Sequence, residues 1–206
     1  MYTQFLFTQN DVDELIKKEP KFEPYVKRFG LLNRPINSNI FESIVGAMIA
    51  QQISGRVATI ITHRLLDKVK EVTPQNLLLL TDDEYQEIGL GPQKRGYIKS
   101  ISKSFLSGEV NENTLKTLID VELTKELVKL KGVGEWTAQM LLIFSLGKTN
   151  VLSYKDLGIR KGIMKLYKKS SIDEITEEFL DKCKKKFAPL NTLASFYLWE
   201  IAGLKE

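Results

Sequence analysis

Cysteine and histidine are almost missing from this chain: Cys183 is the single cysteine and His63 the single histidine among 206 residues. One cysteine excludes an internal disulfide, and it excludes zinc or an iron–sulfur cluster held by cysteines. Cys183 lies in EEFLDKCKKKF, an amphipathic helical pattern, which predicts a half-buried structural thiol. His63, in IITHRLLDKV, has neither further histidines for a metal site nor a neighbouring Ser or Cys for a triad. A helix-surface or core position is expected for it. No apolar run approaches the ~20 residues that cross a bilayer, so no membrane partner is expected. The start, MYTQFLFTQNDVDEL, has none of the sections of a signal peptide, which places the protein inside the cell as an expectation. Period-2 strands, Asn-Gly and Asp-Gly hairpin turns, Gly/Ser linkers, low-complexity segments and a fixed repeat are also lacking.

What is there is helical periodicity. NIFESIVGAMIAQQIS opens at the cap residue Asn39 and sets Phe41, Ile44, Val45, Met48 and Ile49 on one stripe. SGRVATIITHRLLDKV opens at Ser54 and does the same with Val57, Ile60, Ile61 and Leu65. Thr81 with Glu84, and Ser171 with Glu174, have capping-box spacing. Pro92 suits a first helical turn and Gly108 the position past a helix end. The pattern predicts an all-α fold of roughly ten helices. Apolar residues make up 43% of the chain, enough for a packed core, and the first ~35 residues need an apolar partner, for which the C-terminal helices are the expectation.

Net charge is +4, a weak sign of a polyanionic partner, but its distribution is uneven. From Lys155 to Lys169 there are six Lys/Arg and one acid, Asp156. A solvated helix face explains the bases alone. It does not explain an acid among them.

A glycine-broken stretch precedes that run. VELTKELVKL and EWTAQMLLIFSLG read as two amphipathic helices joined by Leu130-Lys131-Gly132-Val133-Gly134. A tight turn here leaves the amides at the start of the second helix pointing outward, where they and the positive helix end suit a phosphate. A plain αα-hairpin accounts for the five residues equally well. The earlier GLGPQKRG, Gly89 to Gly96, echoes this arrangement and reads as an ordinary helix–helix connection.

LKGVGEWTAQMLLIFSLGKTNVLSYKDLGIRKG resembles the helix–hairpin–helix/Gly-Pro-Asp superfamily of DNA base-excision glycosylases. There a hairpin of the form L-P-G-[VI]-G is followed by a helix, and an essential Asp opens the next segment roughly 20 residues on. Gly134 and Asp156 are 22 residues apart. The 3-methyladenine DNA glycosylase II group is the nearest likeness, with FESIVGAMIAQQIS, GLGPQKRGYIKSI, VLSYKDLGIRKG and LASFYLWEIAG in the same order, over about residues 10 to 203. The chain departs from the family pattern at Lys131, in place of the hairpin proline, at Ser153-Tyr154-Lys155 before the Asp, and at Asn191-Thr192 before the last helix.

The resemblance implies a two-lobed helical fold with a cleft between the lobes, acting as one catalytic unit over residues 1–206. It implies a central lobe at 37–150, with the helix–hairpin–helix at 121–147, and a terminal lobe of 1–36 plus 151–206. It implies a monofunctional DNA glycosylase that flips out and hydrolyses off alkylated purines, on double-stranded DNA and as a monomer. Asp156 is the catalytic candidate: its carboxylate would stabilise the cationic sugar and orient water. A helix N-cap before LGIRKG explains the same residue. Trp136 and Trp199 are the implied base-pocket walls, with Tyr154 an added candidate; core packing explains both tryptophans as well. Gln52, just before the break at Ser54, is the implied wedge for the hole left by the base, or else a polar helix cap. Gly132 and Gly134 would hold a phosphate, with Lys131, Arg160 and Lys161 adding salt-dependent attraction. No cofactor is implied as required, and no zinc or iron–sulfur cluster; a structural Na⁺ or K⁺ is implied at the carbonyls of Val128, Leu130 and Val133. Bifunctional relatives carry a nucleophilic lysine where this chain has Trp136, so hydrolysis without strand cleavage is expected, with Lys155 the one residue able to upset it. A glycosylase for uracil, mismatched bases or oxidised guanine, a non-catalytic DNA-binding module, and a helical protein–protein scaffold are the alternatives.

Overall fold

The computed structural model of the protein describes residues 2–205. Among them are thirteen α-helices and one pair of short strands. The strands, β1 (Tyr2–Gln4) and β2 (Pro35–Asn37), are the one departure from the all-α expectation. At three residues each they are too short to show the alternation by which a strand is read from sequence. None of the helices is long and apolar enough to cross a membrane.

The chain forms two compact units, Asn37–Leu141 and Tyr2–Ile36 with residues 142–205. Residues 142–150, assigned from the sequence to the central lobe, fall in the second unit.

In the first unit, α3 (Ile40–Ala50) starts at Asn39, whose side chain accepts the Glu42 N–H. All five residues of its apolar stripe are buried. α4 (Gly55–Val69) starts at Ser54 and buries Ile61 and Leu65, but Val57 and Ile60 are 42% and 44% exposed. The predicted stripe on this helix is therefore half as wide as its apolar spacing indicates. After α5 (Pro74–Leu79), α6 (Asp82–Ile88) carries the Thr81/Glu84 capping box, and its buried Tyr85 hydroxyl donates to the Leu77 carbonyl at 2.8 Å. α7 (Pro92–Leu106) begins on Pro92, and Gly108 lies just past its end with φ +77°. It packs on α5 and α3. α8 (Glu112–Thr117), α9 (Asp120–Val128) and the first part of α10 (Glu135–Phe144) complete this unit. His63 is exposed on α4.

In the second unit, α1 (Gln9–Lys18) and α2 (Glu23–Phe29) accompany α11 (Leu157–Leu166), α12 (Glu177–Phe187) and α13 (Asn191–Gly203). α11 and α13 make the main helix pair, and a Cβ on Gly162 would stand 2.2 Å from the Leu198 carbonyl oxygen. Only glycine permits that approach. Phe22 meets Phe187 edge-on at 5.3 Å, and the Tyr197 hydroxyl donates to the Gly30 carbonyl at 2.8 Å. These contacts hold the N-terminal segment on α12 and α13. Cys183 is fully buried rather than half-buried, and burial pushes its thiol up to about 11, which makes it inert. Beside it Glu19, only 1% exposed, accepts from Tyr167 and from Lys186 at 2.8 Å.

Candidate active site and nucleic-acid interface

The hairpin after α9 closes on itself: Leu130 N–H donates to the Leu127 carbonyl, and Val133 N–H to the Leu130 carbonyl. Gly132 has φ +89°, and a Cβ there would lie 2.3 Å from Tyr97 Cδ2 on α7. Backbone conformation and the tyrosine both require glycine at this position. Gly134 differs. Its carbonyl accepts the Ala138 N–H to start α10, yet a Cβ there would meet nothing within 4 Å. No protein atom within that distance requires glycine at this position. Lys131 is exposed beside it and Val133 is buried beneath.

α3 ends at Ala50, and the chain turns through Gln51 and Gln52 before Ser54 caps α4. Gln52 is exposed and has φ +58°, an uncommon conformation for a residue with a side chain. Gln51, whose part the sequence does not reveal, turns its side chain onto the hairpin. Its Nε2 donates to the Gly132 carbonyl at 3.0 Å and to Thr137 Oγ1 at 3.1 Å. Lys94, on the first turns of α7, donates to the carbonyls of Ile49 at 2.7 Å and Gln51 at 2.8 Å. Burial lowers its ammonium below the usual lysine value. The sequence signals were the paired glutamines and a lysine inside the GLGPQKRG echo; neither says which side chain turns inward.

In the second unit Asp156 is 7% exposed and caps α11, with Oδ1 accepting the Ile159 N–H at 2.8 Å. The same oxygen accepts Trp199 Nε1–H at 3.0 Å. Gly158 makes room for this pair, because a Cβ there would lie 2.8 Å from Trp199 Cδ1. The indole is half-buried and stacks with Phe144 and Phe196, at 5.7 and 6.1 Å between centroids. Arg34 covers it at 5.5 Å and is held in place by Glu200 at 2.7 Å. The loop leading to Asp156 is anchored on α13. Thr192 N–H donates to the Thr149 carbonyl, Thr192 Oγ1 donates to the Lys148 carbonyl and accepts Val151 N–H, and Ser195 Oγ donates to the Val151 carbonyl. Thr192, one of the departures from the family pattern, thus takes part in placing the acid.

The remaining candidates fall in both units. Trp136 stands half-buried at the start of α10 in the first unit. Tyr154 turns toward α12: its hydroxyl donates to Asp181 and Lys184 Nζ lies 5.2 Å over its ring. It does not join the Trp199 stack. Arg160, expected to contact phosphate, donates to the carbonyls of Ile172 at 3.2 Å and Ile175 at 3.4 Å, satisfying a short 3-10 turn at 172–174. Lys165 donates to the carbonyls of Ala202 and Leu204, and Lys169 pairs with Glu174 at 3.0 Å. Lys155, Lys161 and Lys168 are the exposed bases of the run. Among the described residues no group of three or more His, Cys, Asp or Glu side chains is placed to hold a metal. The hairpin offers only neutral carbonyl oxygens at Val128, Leu130 and Val133, and the bond from Val133 N–H leaves Leu130 a second lone pair. That donor chemistry fits a monovalent cation.

The second unit thus carries a carboxylate locked by a half-buried indole, and the first a glycine elbow leading into α10. Known proteins share this chain's fold and sequence pattern. The 3-methyladenine DNA glycosylase of Schizosaccharomyces pombe, solved in complex with abasic DNA, is similar with a TM-score of 0.82 and 27% identity, covering 94% of this chain and 96% of that one. The Archaeoglobus fulgidus 3-methyladenine DNA glycosylase gives a TM-score of 0.79 and 27% identity over 94% and 69% of the two chains. In sequence, DNA-3-methyladenine glycosylase 1 of S. pombe is 29% identical over 170 residues, covering 81% of this chain and 74% of its own. The family model described as HhH-GPD superfamily base excision DNA repair protein matches residues 45–189, a span that takes in the Gln51–Gln52 turn, the glycine elbow and Asp156. The chain belongs to the HhH-GPD superfamily of base excision DNA repair proteins.

Proposed function

We propose that this protein is a DNA glycosylase that hydrolytically removes alkylated purines of the 3-methyladenine type during base excision repair. The observation that carries the reading is Asp156: a nearly buried carboxylate fixed by the Ile159 and Trp199 N–H groups, inside an otherwise basic run. Its similarity to proteins named as 3-methyladenine DNA glycosylases supports it.

Cleavage of an N-glycosidic bond develops positive charge on the sugar. A carboxylate already in place stabilises that charge without reorganising, and it can orient or deprotonate the attacking water. An alkylated purine that already carries positive charge departs without a strong general acid. The base must first leave the stack. Gln52, projecting from its left-handed turn, is the wedge in this reading, and the amides around Gly134 hold the strand through a phosphate. Na⁺ or K⁺ at the carbonyls of Val128, Leu130 and Val133 would neutralise that phosphate when bound. Trp136 and Trp199 serve as aromatic surfaces for the base. Trp136 stands where bifunctional relatives have lysine, so the product is an intact abasic site. The reading takes the protein to be a monomer acting on double-stranded DNA inside the cell.

The test is base release from a panel of duplexes, each with one modified base, read by mass spectrometry of the freed base. Release of 3-methyladenine or 7-methylguanine is expected. Release of uracil or oxidised guanine alone moves the activity to another lesion, and no release from any duplex removes it. Borohydride present during turnover should trap no covalent protein–DNA adduct; an adduct would show a lysine nucleophile.

A further inference from the structure

We infer that Lys94 and Gln51 are positioning residues that hold Gln52 ready to enter the duplex and tie that action to the strand-holding hairpin. The inference rests on the glycosylase reading for what the wedge achieves, and on unit-one geometry for how it is held.

Four observations converge. Gln52 is exposed in the left-handed region, where a side chain rarely settles unless its surroundings fix it. The peptide entering Gln52 carries the Gln51 carbonyl, and Lys94 Nζ grips that oxygen at 2.8 Å while also holding the Ile49 carbonyl at 2.7 Å. One ammonium thus closes the end of α3 and sets the plane from which Gln52 departs. The Gln51 side chain reaches the Gly132 carbonyl and Thr137 on α10. Tyr97, one turn after Lys94 on α7, packs its ring against Gly132. The start of α7 therefore braces both the turn and the hairpin, and Gln51 joins them. Ile49 is buried, so water has little access to the end of α3, and Lys94 serves that carbonyl while also fixing the Gln51 carbonyl of the turn. A turn that must resist the stacked bases does need such a brace.

The segment responsible, GLGPQKRG, reads from the sequence as a mere connection. Its side chains do more than connect. Lys94 and Tyr97 brace the turn and the hairpin that meet DNA, without meeting DNA themselves.

The experiment compares wild type with Lys94→Met, Lys94→Arg and Gln51→Met, all checked for folding by circular dichroism and melting. Three readouts are taken. These are affinity for a duplex with a tetrahydrofuran abasic analogue, fluorescence of 2-aminopurine opposite that analogue, and single-turnover release of 7-methylguanine. Lys94→Met should bind the abasic analogue within about threefold of wild type, lose most of the fluorescence change, and release base about 20-fold more slowly. Lys94→Arg should recover most of both. Gln51→Met, which leaves the Lys94 bonds in place, should lose fluorescence change and rate together. Wild-type rate and signal in both Lys94→Met and Gln51→Met would overturn the inference. So would a parallel fall of affinity and rate in both, which marks a general loss of binding. If wild type releases no alkylated base, the proposed function fails, while the fluorescence arm still decides this inference.

Discussion

Replacing Asp156 by Asn separates two jobs that one residue performs. Asparagine caps a helix about as well as aspartate, so its side-chain oxygen should still accept from Ile159 N–H and Trp199 Nε1–H. The stability change should stay within about 1 kcal/mol, mostly the lost attraction between a carboxylate and the positive end of α11. The chemical step loses far more. A full negative charge about 4 Å from a cationic sugar, at an effective dielectric of about 20, contributes roughly 4 kcal/mol. At 1.36 kcal/mol per decade that is about a thousandfold in rate. Single-turnover release of 7-methylguanine, measured beside a melting curve, tests both halves at once. A variant that melts with wild type and cleaves within threefold of it would refute the catalytic assignment and leave Asp156 a cap. Asp156→Ala, by contrast, should also lose about 1 kcal/mol of stability as the cap disappears.

Trp199→Phe keeps the ring stack with Phe144 and Phe196 but deletes the N–H on Asp156. A hydrogen bond to a charged group is worth about 1.5–3 kcal/mol, so base release should slow about 10- to 100-fold, with abasic-duplex affinity little changed. Gly134→Ala should melt like wild type, because an added Cβ meets no protein atom there, and bind abasic duplex at least about tenfold less tightly if the elbow holds a phosphate as proposed. Gly132→Ala should melt distinctly lower, since φ +89° and Tyr97 both exclude a side chain. Burial by itself raises the Glu19 carboxyl, but bonds from Lys186, Tyr167 and the Lys21 N–H outweigh it and hold the group below 4.5. Its contribution is therefore complete above pH 4.5 and vanishes as the pH falls through the lower folded value, so acid melting should be steeper in wild type than in Glu19→Gln.

Caps and spacing carried the helices into view at the level of sequence. Asn39, Ser54, Thr81 and Asp156 all begin helices as their residue types predict. The short strand pair was invisible, because its three-residue strands have no period to read. Site residues divide the same way. The glycine elbow and the acid stand out by type and spacing. Gln51, Lys94 and Thr192 do not, because their roles come from carbonyls distant in the chain, and a polar residue on an amphipathic helix looks alike whether it faces water or a backbone oxygen. Arg160 shows the converse, a base that reads as a phosphate ligand and is drawn instead to the turn at 172–174.

That last arrangement bears on how binding responds to ionic strength. Arg160 and Lys165 are turned onto the protein's own carbonyls and Lys169 onto Glu174, so they are not placed to contact phosphates when a duplex arrives. Lys131, Lys161 and Lys168 remain on the surface. A logarithmic plot of association constant against salt should then fall with a slope of about −3, against about −6 if Lys131 and all six bases between Lys155 and Lys169 met phosphate.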